Sequence, residues 1–144
     1  MLARDLLAAK GTEVATTSGS VPLAEALAMF VDRNIGSLVV TADGRTIDGV
    51  VSERDAIRAV VERGDAALRD PVAAVMDRDP YTCVPSTTVE ELIAIMTRHR
   101  VRHVPVVVDG ALAGIVSIGD VVKSRIVELE TESESIRDYI WHGR

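Results

Sequence analysis

With 144 residues and 47% hydrophobic side chains, the chain suits one compact domain with a sizeable core, which aliphatic residues must fill because aromatics make up only 3%. A net charge of −6 argues against general affinity for nucleic acid or anionic membrane, so any anionic ligand must be held by local donors. Cys83 is the single cysteine, no basic N-terminal stretch leads into a long apolar run, and no apolar run is long enough to span a bilayer; a soluble, cytoplasmic protein in a reducing compartment is expected.

In chain order, Leu6 to Lys10 opens a first copy of a repeated unit. Ser20 is placed to cap a helix with Pro22 in its first turn, and Leu23, Leu27, Phe30 and Val31 share one helical face. Ser37 to Thr41 is continuous and apolar, as in a buried strand. Asp43-Gly44 marks a turn, and Ile47 to Val51 returns as the next strand. A helix is predicted from Ser52 to about Arg63, ended by Gly64, with Asp65 to Pro71 as a link. Val72 to Met76 opens a second copy. Thr87-Thr88-Val89-Glu90 reads as a capping box ahead of Leu92, Ile93 and Met96. Val104 to Val108, the turn Asp109-Gly110 and Leu112 to Val116 repeat the strand pair, and a last helix runs from Ser117. In it Val122, Ile126, Leu129, Ser133, Ile136 and Ile140 step by 4, 3, 4, 3, 4, a heptad-like spacing that suits a subunit contact.

The two copies match residue for residue. Ser20 and Ser86, Glu25 and Glu91, Val40 and Val106, and Asp43 and Asp109 are each 66 apart. Gly49-Val50-Val51-Ser52-Glu53-Arg54-Asp55 recurs as Gly114-Ile115-Val116-Ser117-Ile118-Gly119-Asp120, so the chain is two copies of one supersecondary unit. Taken singly, each Ser-x-x-Asp is a helix cap, with Ser on the third amide and the acid answering it. A cap requires neither the preceding Gly-hydrophobic-hydrophobic nor Asp, whose arm is shorter than that of Glu. A glycine permits close approach, amides at a helix start accept phosphate, and a carboxylate takes strong hydrogen bonds from vicinal hydroxyls. Together these parts can hold a ribose phosphate.

Two repeats that each end in Gly-h-h-Ser-x-x-Asp, with the strand approach Arg100-Val101-Arg102-His103-Val104-Pro105-Val106, resemble a tandem pair of CBS (cystathionine β-synthase-type) domains. The resemblance spans roughly residues 6 to 132. It implies an α/β module of two pseudo-twofold-related β-α-β-β-α repeats packed sheet to sheet, at residues 6–66 and 72–130, with 131–144 as a C-terminal helical extension. It also implies two clefts that take adenine nucleotides or relatives: AMP, ADP, ATP, NAD(H) or S-adenosylmethionine. Carried over by position, one cleft uses Ser52 and Asp55 with Thr82, Arg102 and His103. The other uses Ser117 and Asp120 with Thr16, Gly36 and Ser37. Only the first receives a guanidinium and an imidazole, so it is expected to bind the phosphorylated ligand more tightly. The first repeat lacks the strand proline that Pro105 supplies in the second, a departure at Ser37.

Other chemistry finds little footing. His99 and His103 are four apart, but a turn separates them and no further ligands complete a metal site. Cys83 reads as a small buried strand residue. Of Arg98, Arg100 and Arg102, only Arg102 is expected at phosphate. No phosphate loop, dinucleotide fingerprint or nucleophile elbow is present, so no enzymatic activity is expected. The expectation is a nucleotide sensor, in the manner of energy sensing, that forms a homodimer or contacts a protein partner. The alternative is a structural dimerisation module with vestigial clefts.

Overall fold

Alternation of amphipathic stretches with short apolar runs produces, in the computed structural model, a mixed α/β chain in two halves; residues 1–142 are described. After helix α1 (Ala3–Lys10), the first half contains β1 (Thr16–Thr17), α2 (Leu23–Arg33), β2 (Ser37–Val40), β3 (Gly49–Ser52) and α3 (Glu53–Arg63). A 3-10 turn (Gly64–Arg69) and α4 (Val72–Val75) lead to α5 (Val89–His99), β4 (His103–Val108), β5 (Ala111–Ser117) and α6 (Ile118–His142). The strands run in the order β1-β2-β3, with β1 parallel and β3 antiparallel to β2. In the second half β4 pairs antiparallel with β5, and Cys83 bridges β4 in parallel where β1 would stand. Its amide donates to the Pro105 carbonyl (2.9 Å) and its carbonyl accepts from Val107 (2.8 Å).

Helix boundaries follow from local chemistry, with two departures from the expected caps. Ser20 does not cap α2; its hydroxyl pairs with that of Ser18 at 3.0 Å. Pro22 occupies the N-cap position instead, and the Leu23 amide donates to the Asp70 carbonyl at 2.8 Å, so a neighbouring backbone supplies what a side-chain cap would. The box on α5 is built one residue later than expected, from Thr88 and Glu91. The Glu91 amide donates to Thr88 Oγ1 (3.1 Å) and the Thr88 amide to Glu91 Oε2 (2.8 Å). Both α2 and α5 stop at a left-handed residue, Asn34 (φ 51°) and Arg100 (φ 53°). For arginine that conformation costs about 1–2 kcal/mol, and here it turns the chain from α5 into the β4 approach.

The linker segments cross between the halves. In sequence α1 opens the first copy, but in space Ala3, Leu6 and Leu7 are buried with Val89, Leu92, Met96, Val104, Val116 and Val121 of the second. Conversely, Val72 of α4 is buried with Leu23, Ala26, Phe30, Leu38 and Val51 of the first. Backbone bonds fix each crossing: the Ala3 amide to the Thr87 carbonyl (2.8 Å), the Val72 amide to the Val21 carbonyl (2.8 Å), and a reciprocal pair between Val50 and Asp77 (3.0 and 2.9 Å). Each fully buried aliphatic side chain contributes about 1.5–3 kcal/mol, so neither half has its complete core without the other's linker.

Candidate functional site

Strand β3 ends at Ser52, whose extended backbone (φ −115°, ψ 165°) suits an N-cap, and α3 begins at once. The capping box closes fully. Asp55 Oδ2 accepts from the Ser52 amide and hydroxyl, both at 2.9 Å, and the Asp55 amide donates to Ser52 Oγ at 3.3 Å. The cap uses one oxygen of the carboxylate: Oδ2 holds the helix start, and Oδ1 takes no hydrogen bond from the described residues. The second motif repeats this geometry. Asp120 Oδ2 accepts from the Ser117 amide (2.8 Å) and hydroxyl (2.9 Å), and the Asp120 amide donates to Ser117 Oγ (3.2 Å).

A cleft of about 820 Å³ opens in front of Asp55 and is lined by both halves. Of the residues expected there, Ser52, Asp55, Arg102 and His103 line it, and Thr82 does not. Its neighbours Pro80 and Tyr81 take that wall, because Cys83 is committed to the β4 pairing and the core. Gly36 and Ser37, expected opposite Asp120, line this same cleft. The reason is strand register. Ser37 lies opposite Ser52 across β2 and β3, and the Glu53 amide donates to the Gly36 carbonyl at 3.0 Å. The second half is built alike, with His103 opposite Ser117 and the Ile118 amide donating to the Arg102 carbonyl at 2.8 Å. Both strand approaches meet at the pseudo-twofold axis, where a Cβ added to Gly36 would sit 3.4 Å from His103 Cε1. Thr16 pairs with Val39 on the edge strand and does not line the cleft.

Several lining residues lay outside the sequence expectation. Arg54, Arg58 and Arg100 join Arg102 around the cleft, facing the carboxylates of Glu53, Asp55 and Asp77. This is a local concentration of guanidinium groups on a chain of net negative charge. Tyr81 and His99 stack with centroids 3.9 Å apart and planes at 17°, giving an aromatic wall. No periodic signal joins two residues from different elements in this way. Burial, with the nearby charge of Lys10, holds His103 below its ordinary value against the opposing pull of Asp120 and Glu53, so the ring is neutral at pH 7. A neutral imidazole offers one donor and one acceptor to a ligand.

The motif glycines serve the protein's own chain. A Cβ on Gly49 would lie 2.5 Å from the Asp77 carbonyl oxygen and 2.8 Å from Met76 Sδ, and one on Gly114 would lie 2.8 Å from both δ carbons of Leu7. Close approach was the correct reading, but the group that approaches is a linker rather than a ligand.

The two motif carboxylates differ in one partner. Lys10 Nζ donates to Asp120 Oδ2 at 2.7 Å and to the Ile115 carbonyl at 3.0 Å, whereas Asp55 has no cation bonded to it among the described residues. Burial alone would raise Asp120, but the bonds from Lys10 and Ser117 outweigh it and hold the carboxyl below its ordinary range.

Cys83 is buried, and burial pushes its thiol up to about 11. A thiol-reactive probe at pH 8 is therefore expected to leave the native chain unlabelled and to label it on unfolding in urea; rapid native labelling would contradict this burial. His99 and His103 close no metal site, and no cluster of potential ligands occurs among the described residues. No helix among those residues is long and apolar enough to cross a membrane.

Comparison with known proteins agrees with this architecture. The CBS domain family matches twice, at residues 4–62 and 72–126. A CBS-domain containing protein from Agrobacterium tumefaciens is 41% identical, superimposes with a TM-score of 0.84, and is matched over 87% of this chain and 99% of that one. A CBS domain protein from Pyrobaculum aerophilum, solved in complex with AMP, is 29% identical with a TM-score of 0.75 over 92% of this chain and 99% of that one. The mitochondrial CBS domain-containing protein CBSX3 of Arabidopsis thaliana is 32% identical over 83% of this chain, which spans 60% of that protein's length. Two motif-bearing repeats, joined by crossed linkers around a shared cleft, make this chain a member of the CBS-domain family, a tandem CBS pair.

Proposed function

We propose that this CBS pair is a regulatory module that binds an adenine nucleotide in the Asp55 cleft and transmits occupancy to a second copy or a protein partner. The observation that carries this reading is the composition of that cleft. A helix-start carboxylate with a free oxygen stands in the first half, and Arg102, Arg100 and a neutral His103 stand in the second. Ribose hydroxyls donate to Asp55, the arginines take phosphate, and the aromatic wall of Tyr81 and His99 borders the remaining volume. The AMP complex of the Pyrobaculum relative supports the ligand class.

A ligand held from both halves binds best to one arrangement of them, and it biases the population by that difference in affinity. The arrangement chosen then sets how outward surfaces meet a partner. Helix α6 is the candidate readout, since Val122, Ile126, Leu129, Ile136 and Ile140 are all exposed on it. The same observation favours a second reading, a dimerisation module that needs no ligand.

Thermal unfolding with AMP, ADP, ATP, NAD(H) and S-adenosylmethionine separates the two. A true ligand at about a hundredfold over its Kd adds roughly 2.7 kcal/mol, and no shift with any of them would favour the dimerisation module. Binding without turnover belongs to the first reading, so ligand recovered after long incubation is expected unchanged by chromatography.

A further inference from the structure

The Asp120 motif repeats the capping hydrogen bonds of the Asp55 motif with one addition, a lysine ammonium on its carboxylate. Three donors converge on Asp120 Oδ2: the Ser117 amide, the Ser117 hydroxyl and Lys10 Nζ. Only the first two have counterparts at Asp55. The third comes from 110 residues away in sequence. It is brought there because α1 crosses to the second half and packs Leu7 against Gly114, one helical turn before Lys10.

The ammonium shares Oδ2 with the cap and leaves Oδ1 without a hydrogen bond among the described residues, as at Asp55. What it adds is a compensating charge against the carboxylate, which weakens the pull of Asp120 on ligand hydroxyls. Its second bond, to the Ile115 carbonyl, fixes it there. The crossing bonds set α1 and α4 in register 69 residues apart, with Ala3 on Thr87 as Val72 is on Val21, so Leu7 corresponds to Met76 and Lys10 to Asp79, a carboxylate. The position that supplies a cation to the second motif thus supplies none to the first. Lys10 is the last residue of α1 and is exposed, while the buried residues of that helix, Ala3, Leu6 and Leu7, lie earlier. Its side chain can therefore leave Asp120 without disturbing the core.

We propose that Lys10 is a built-in occupant of the second motif, a latch that keeps the Asp120 site closed to nucleotide while the Asp55 cleft stays open. The proposal rests on the nucleotide reading of the Gly-h-h-Ser-x-x-Asp motif. The chain then takes one nucleotide, and the second site opens only when a partner draws Lys10 away.

The test is calorimetric titration of the intact chain with AMP. Wild type is expected to bind one AMP per chain. Lys10→Met is expected to bind two, the added site disappearing in Lys10→Met/Asp120→Ala, and Lys10→Arg is expected to stay at one. If Lys10→Met keeps the wild-type number, whatever that number is, the latch is overturned. If wild type binds none but Lys10→Met binds one through Asp120, the latch stands and the Asp55 reading fails. Circular dichroism of Lys10→Met is expected to match wild type, as befits an exposed helix end.

Discussion

Asp55→Ala is expected to weaken AMP binding by at least a hundredfold in calorimetric titration, whereas Asp120→Ala leaves it nearly unchanged. Hydrogen bonds to a charged group contribute about 1.5–3 kcal/mol each, and two ribose hydroxyls on one carboxylate make the loss roughly 3 kcal/mol or more, a factor beyond 10². The two substitutions control for each other. Each removes the same reciprocal bond from a capping box, because Asp55 and Asp120 hold their serines with nearly identical geometry. Each therefore carries a similar cap penalty, typically about 1 kcal/mol of stability. A difference in affinity must then come from the clefts. Equal losses would refute the asymmetry drawn from Arg102, His103 and the Lys10 pair.

Gly49→Ala is expected to lower stability by about 1–3 kcal/mol, the usual cost of forcing an extra group into a packed interior. The clash is with backbone: the new Cβ would stand 2.5 Å from the Asp77 carbonyl, which is itself bonded to the Val50 amide. Relief requires breaking the bridge that fixes the first half's linker. Gly114→Ala meets side-chain atoms of Leu7 and no backbone among its nearest neighbours, and is expected to cost less. Urea midpoints of the two variants measure the difference. The first also reaches function, because Met76 and Asp77 line the cleft. Gly49→Ala should weaken AMP binding as well as stability. A stability loss for Gly114→Ala that equals or exceeds that of Gly49→Ala would show that side-chain freedom at Leu7 does not absorb the clash.

Much of the fold was legible because its determinants are local. Strand pairs joined by Asp-Gly turns, the α3 start at Ser52, and its repeat at Ser117 all depend on residues a few positions apart, and they stand where expected. The two caps that differed show the limit of that logic. At α2 the helix start was satisfied by Asp70, 47 residues downstream of Leu23, so Ser20 was not needed. At α5 adjacent threonines offered two registers, and Thr88 was selected while Thr87 Oγ1 took the Val84 amide.

The candidate site divides in the same way. The duplicated Gly-h-h-Ser-x-x-Asp and the charged pair Arg102-His103 were present in the chain itself and pointed to the Asp55 cleft; the contrast drawn with Gly36-Ser37 did not hold, since both pairs line that one cleft. The composition of that cleft was decided in three dimensions. Register along β2 and β3 set Gly36 and Ser37 beside Ser52, and the stop at Arg100 directed Arg100 and Arg102 to the same opening. Crossing of α1 carried Lys10 to Asp120. By itself the sequence determined the duplication, the capped helices, the membership of the CBS family and the position of both motif carboxylates, since these rest on periodicity and short-range hydrogen bonding. Only the tertiary structure decided which carboxylate is paired with a cation and which is not, because a pairing across 110 residues depends on how buried faces pack and leaves no local trace in the chain.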